Sequence, residues 1–222
     1  MLTRRSVLAL GATATAVLAC PSLGRAAAPF EPPPLPYAPD DLAPVISRRT
    51  VELHSGIHHR GYFRALNQLV AGTDYADLSL DEVASLAFQN GDVEIANNAG
   101  QAWNHILYFD QFAGGPSEPE GALAEALGRE FGGVEGFADE AVAASGRVFG
   151  TGWLWLLAEG DALYLASTED GDTPLPSGMV ALVGLDLWEH AYYLDYENRK
   201  ADHLRALIGR LINWQRVGER FV

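Results

Sequence analysis

Two pairs of residues four apart, Asp186 with His190 and Gln101 with His105, and a histidine-rich run from His54 to Tyr62 hold the side chains best suited to chemistry. Asp186 closes an apolar, strand-like run (Met179, Val180, Ala181, Leu182, Val183, Gly184, Leu185). If the chain turns helical there, His190 points the same way from the same corner. An anionic oxygen and a neutral imidazole so placed are half of a metal site, although a lone D-x-x-x-H is more often an ion-paired carboxylate beside a core histidine. Partners upstream change that balance. His54, His58 and Tyr62 fall at i, i+4 and i+8, one stripe of a helix; Gln101 and His105 share a face with Asn97 and Tyr108 near it. His54, His105, Asp186 and His190 are therefore the candidate ligands. Three imidazoles and one carboxylate form a borderline-hard set suited to iron or manganese in the +2 and +3 states.

The elements that must position these groups can be read around them. A first helix is expected from Ser47, an N-cap candidate, to Ala71, with Gly72 as terminator and Val51, Ile57, Leu66, Leu69 and Val70 as apolar residues. Ser79-Leu80-Asp81-Glu82 has the form of a capping box and starts a second helix that ends near Gly91. A third runs from Asp92 or Val93 to Phe112, stopped by Gly114-Gly115-Pro116. The flank of Ala102 and Trp103 places Gln101 in a packed interface, where its amide must find a partner. Two Ala- and Glu-rich helices follow, roughly 120–131 and 134–145. Next comes a hairpin, Gly152 to Ala158 and Ala162 to Ala166, turning through Glu159-Gly160-Asp161, and the run before Asp186 supplies a third strand. A final amphipathic helix from Asp202 to Arg216 closes the chain. The expected class is α+β: an N-terminal long-helix hairpin domain, then a C-terminal domain of helices around a three-stranded antiparallel sheet. The divisions are a signal peptide at 1–28, an extended arm at 29–46 anchored by Leu35 and Tyr37, the hairpin domain at 47–115 and the α/β domain at 116–222.

Composition limits the partners. A chain of 222 residues with 48% hydrophobic content can bury a sizeable core. Its net charge of −14 argues against nucleic-acid or anionic-membrane binding, since either needs a basic face. An anionic small substrate would need a locally positive entrance. At the N-terminus, Thr3-Arg4-Arg5-Ser6-Val7-Leu8 and the uncharged run to Ala19 have the layout of a secretory signal of the twin-arginine kind, with cleavage near Ala26-Ala27-Ala28. This predicts export to the periplasm. Val17-Leu18-Ala19-Cys20 also resembles a lipoprotein cleavage box, so the alternative is a lipid anchor on Cys20. That is the single cysteine, which leaves the domain without an intramolecular disulfide.

Four motifs resemble one family in order and spacing: His54 to Tyr62 (HSGIHHRGY), Asn97 to His105 (NNAGQAWNH), Gly152 to Leu156 (GWLWL) and Asp186 to Tyr193 (DLWEHAYY). They look like the successive motifs of the iron/manganese superoxide dismutases, and the resemblance covers nearly all of 35–217. It implies a redox-cycling enzyme that converts superoxide to O₂ and H₂O₂. His54, His105, Asp186 and His190 would hold one ion per subunit, and a bound solvent would be the fifth ligand. By the same resemblance Gln101 hydrogen-bonds that solvent, Tyr62 is the gateway tyrosine and His58 the histidine beside it. Glu189 and Tyr193 would reach across a homodimer, the latter to His58. Trp153, Trp155 and Trp188 would wall the metal, and Lys200 would stand where the family usually places a steering arginine. Gln101, with Gly171 in place of a loop glutamine, and Tyr108 look iron-like. Asp172 and Phe109 depart from the iron pattern and leave manganese or dual-metal use open. Two other readings are a non-catalytic member of the scaffold and a different non-haem iron enzyme such as an oxygenase. The full ligand set and Tyr62 weigh against the first, and four protein ligands leave little room for the second.

Overall fold

The computed structural model describes residues 30–221, so the signal-peptide and Cys20 readings lie outside the described residues. From Phe30 the arm lies along the helices. The Phe30 N–H donates to Asn67 Oδ1 and Asn67 Nδ2 donates back to the Phe30 carbonyl, both at 2.8 Å, and Tyr37 donates its hydroxyl to the Phe109 carbonyl.

The first helix is not the uniform rod that the sequence pattern predicts. α1 (Arg48–Leu53) opens at Ser47, whose side chain accepts from the Thr50 N–H, and α2 spans Arg60–Val70. Between them His54–His59 forms a π-helical turn. Hydrogen bonds of the i→i+5 kind widen the turn and shift the buried phase by one residue. The buried positions are Thr50, Val51, His54, His59, Phe63, Leu66 and Val70, with a five-residue step across the wide turn. Ile57, one of the apolar residues of the expected helix, is 57% exposed. His58 and Tyr62 flank the inner stripe half-buried, and His59 occupies it.

α3 (Leu80–Asn90) starts at the expected capping box of Ser79 and Glu82 and ends at Gly91, whose φ of +74° is a conformation glycine adopts without steric cost. α4 (Val93–Asp110) ends two residues before the expected Phe112. α2, α3 and α4 enclose a small apolar cluster of Leu66, Val70, Tyr75, Val83, Ala84, Ala87 and Ala99.

In the second half, α5 (Gly121–Phe131) and α6 (Val134–Ser145) precede three antiparallel strands, β1 (Gly152–Glu159), β2 (Ala162–Glu169) and β3 (Val180–Asp186), in the order β2-β1-β3. The central strand β1 is buried from Gly152 to Ala158, so it reads as a continuous apolar run instead of an alternating one. Trp153 pairs with Asp186 in the register. Past Asp186 the chain does not enter an α-helix. Trp188 is extended, Glu189–Ala191 forms a 3₁₀ turn, and α7 (Tyr193–Tyr196) follows. Asp186 and His190 therefore meet across a strand-to-turn corner, not on one helical face.

The last helix also differs from expectation. α8 (Lys200–Arg210) stops, and α9 (Trp214–Gly218) begins after a break at Asn213. The break is fixed by that residue. Its N–H donates to the Gln111 carbonyl and its side chain caps α9 by accepting from the Arg216 N–H.

The main core joins both halves of the chain: Leu42, Val45, Val51, Tyr108, Phe109 and Phe112 pack with Trp153, Trp155, Leu185, Leu204 and Trp214. Arg216 and Arg220 both pair with Asp110, tying the C-terminal end to the foot of α4. No helix among the described residues is long and apolar enough to cross a membrane.

Candidate metal centre

Four elements converge on one buried point. The π turn brings His54, α4 brings His105, the last residue of β3 is Asp186, and the 3₁₀ turn adds His190. One donor atom from each lies within 4.8 Å of all the others. Asp186 Oδ2 is 3.2 Å from His54 Nε2, 3.6 Å from His105 Nε2 and 3.1 Å from His190 Nε2. Donors held ~2 Å from a shared ion at right or wider angles stand ~3.0–3.6 Å apart, so the spacing suits a single ion.

The hydrogen bonds around the four prepare them for that role. His105 Nδ1–H donates to the Gln101 carbonyl at 2.7 Å, which leaves the Nε2 lone pair free. His54 Nε2 and His105 Nε2 are buried with no hydrogen-bond partner. Orphaned acceptors in a dry interior cost free energy unless a cation takes their lone pairs. Asp186 Oδ1 accepts the Trp188 N–H at 2.8 Å, which turns Oδ2 toward the imidazoles. Burial works to raise the Asp186 carboxyl, but His190 and His54 outweigh it and hold the group well below the usual carboxylate range. Burial pushes His54 down to about 4, despite its contact with Asp186, and drives His105 well below its ordinary value. An anionic carboxylate and neutral imidazoles are the protonation states that metal ligation requires.

The surrounding side chains form an oriented shell. Trp153 donates its indole N–H to Gln101 Oε1 at 3.0 Å, which fixes the amide so that Nε2 donates to the Tyr62 hydroxyl at 3.3 Å. Burial pushes Tyr62 up to about 12, with Asp186 adding to the effect. Trp153 stands edge-on to His105, Trp155 stacks on Trp153 at 5.4 Å, Trp188 stacks on His190 at 5.7 Å, and His58 stacks on His190 at 4.3 Å. Glu189 and Tyr193 lie at the surface. Lys200 donates its ammonium to the Ser145 carbonyl at 3.1 Å, and partial burial lowers its pKa.

Two glycines allow the loop after β2 to close on α4. A Cβ on Gly100 would lie 2.1 Å from the Gly171 carbonyl oxygen, and one on Gly171 would lie 2.7 Å from the Asn97 carbonyl and 3.1 Å from Gln101 Cγ. With Gln101 on α4, the loop has no room for a second glutamine at 171.

The comparisons agree with this geometry. Residues 29–113 match the pattern of the iron/manganese superoxide dismutase alpha-hairpin domain, and residues 119–220 match that of the C-terminal domain. The chain belongs to the iron/manganese superoxide dismutases. Among curated relatives, a "Superoxide dismutase [Fe]" of Bacteroides fragilis is 45% identical over 86% of this chain and 98% of its own length. A "Superoxide dismutase [Mn/Fe]" of Porphyromonas gingivalis is 42% identical over 84% and 96%. A "Superoxide dismutase [Fe]" of Legionella pneumophila is 41% identical over 83% and 95%.

Three buried polar residues in this family member escaped the sequence reading. Asn104 donates to the Asp172 carbonyl at 3.1 Å and pins the loop. Gln111 exchanges hydrogen bonds with Gly184, donating to its carbonyl at 2.9 Å and accepting from its N–H at 3.1 Å, so α4 grips the strand that ends in Asp186. His59 donates Nε2–H to the Ala102 carbonyl. The signal available for Asn104 was its i+3 spacing from Gln101. Gln111 and His59 gave none, because the first acts through a strand 73 residues away and the second is moved inward by the π turn.

Proposed function

We propose that the protein is a superoxide dismutase, converting two superoxide ions and two protons to O₂ and H₂O₂ with one iron ion per chain. The observation that carries it is the convergence of three imidazoles and one carboxylate, two of the imidazoles with orphaned lone pairs, inside a shell fixed by Gln101 and Trp153. Iron, when bound, supplies a one-electron couple between its +2 and +3 states. The chain's own residues do the rest. The Trp153 indole holds the Gln101 amide so that its N–H groups face the pocket and Tyr62. Tyr62 keeps its proton at Oη at neutral pH and its ring lies 5.3 Å from that of His105, which sets a proton donor beside the centre. Trp153, Trp155 and Tyr108 are fully buried and exclude bulk water and organic substrates from the opposite side.

Support for iron over manganese comes from Gln101 on α4, the crowded Gly171 and the names of the relatives, one of which is printed as Mn/Fe. We propose a homodimer closed through Glu189, Tyr193 and His58. Its support is the exposed apolar set of Phe149, Leu194, Ile57 and Tyr193, which a two-fold partner would cover. Lys200 is proposed to steer the anion, and residues 1–28 to direct export to the periplasm, with a lipid anchor at Cys20 as the alternative.

Superoxide consumption by the metal-replete protein, against the same protein stripped by chelator, tests the main reading. The expected result is consumption far above background that returns with iron. A replete sample that leaves superoxide at its spontaneous rate refutes it. In the same assay Lys200→Glu should slow the second-order rate and weaken its salt dependence, and unchanged rates at low ionic strength would remove the steering role. Metal content of native protein reports the ion, sedimentation the dimer, and cell fractionation with mass of the mature chain the export route.

A further inference from the structure

We infer that His59 is a positioning residue for the ligand His105, and that the π-helical turn is the device that delivers it. This rests on the reading of the four donors as a metal site. From Val51 onward the buried positions of the first helix step by three or four residues except from His54 to His59, where the step is five and coincides with the wide turn. A regular helix cannot place residues five apart on one face, whereas a π turn does. His54 and His59 thereby approach His105 together. The His54 ring meets it edge-on at 4.8 Å, and the His59 ring stacks at 5.3 Å with 20° between planes.

His59 is 3% exposed and none of its surroundings requires an imidazole for packing alone, since Phe63 and Phe109 at 5.1 and 5.7 Å would accept an apolar ring. The hydrogen bond distinguishes it. His59 Nε2–H donates to the Ala102 carbonyl at 3.1 Å, adjacent to the Gln101 carbonyl that receives His105 Nδ1–H. One imidazole thus restrains the ligand twice: its face limits rotation of the His105 ring, and its N–H holds the stretch of α4 that sets the ring's direction. Groups behind a metal ligand commonly change metal affinity by 10–100-fold when lost.

His59→Phe keeps a ring and loses the donor; His59→Gln keeps a donor and loses the ring. Both are loaded with iron and compared with the parent by the electron-paramagnetic-resonance spectrum of the ferric form and by the rate at which a chelator removes the ion. The expected result is a shifted spectrum and about tenfold faster release in each variant. The inference is overturned if every variant that folds keeps the parent spectrum and release rate, even with a lower melting temperature. A parent that takes up no iron at these donors would instead sink the metal reading on which the inference stands.

Discussion

The first helix and α4 each contribute one histidine to the centre, but they do so by opposite means. α4 is regular through its length, so Gln101 and His105, one turn apart, share a face as 3.6-residue periodicity requires. The first helix breaks that periodicity at His54–His59, and its inner face is shared by residues that no regular pattern groups. The difference teaches where a periodic reading is trustworthy: where backbone hydrogen bonds are uniform, side-chain direction follows from spacing, and where one turn widens, every residue after it is rotated.

The largest expected effect tests the regular member. Gly100→Ala places a methyl against the Gly171 carbonyl, and α4 cannot yield without moving Gln101 and His105. We expect a loss of about 3 kcal/mol, read as a lower urea midpoint with unchanged slope. A midpoint like the parent's would mean that the loop, not the helix, gives way.

Deletion of the exposed Ile57 tests the irregular member by converting the wide turn to an ordinary one. His59 then stands four residues from His54, helicity is retained, and the two rings no longer approach His105 together; a shift of ~1 Å there is enough to matter. Misplacement on that scale should lower the rate constant for superoxide at least tenfold, measured on protein whose sedimentation matches the parent's. Full activity would make the widening incidental.

The smallest effect separates a buried histidine that found a partner from one that did not. His59 donates to Ala102, but His203 on α8 is buried between Tyr192 and Tyr196 with both ring nitrogens unpaired. Burial pushes His203 down to about 4 from its ordinary 6.5. Between those values the unfolded chain binds a proton that the folded chain refuses, so this group makes stability fall as pH falls through the window. His203→Phe should stabilise the protein by about 1 kcal/mol at pH 7 and flatten the decline from pH 6.5 to 4, measured by urea unfolding across that range. A destabilised variant would indicate that internal water satisfies the ring.

Much of the fold was legible because its cues are local. Ser79 with Glu82, Gly91, and the turn at Glu159-Gly160-Asp161 each specify an end or a reversal through their own backbone chemistry, and the structure follows them. The spacing also identifies the four donors, and Asp186 and His190 converge from one corner as expected, although a strand-to-turn junction and not an α-helical face makes it. Cues that depend on distant contacts were not readable. Asn213 divides the last helix because the Gln111 carbonyl, 102 residues earlier, takes its N–H. The inward position of His59 likewise depends on α4.

The donors are divided two and two along the chain, His54 and His105 in the first half, Asp186 and His190 near the end. A nascent polypeptide leaving the ribosome holds both early imidazoles while the carboxylate that neutralises the ion is still unmade. The four-donor site is therefore complete only once the chain has been made past His190, after the whole helical hairpin.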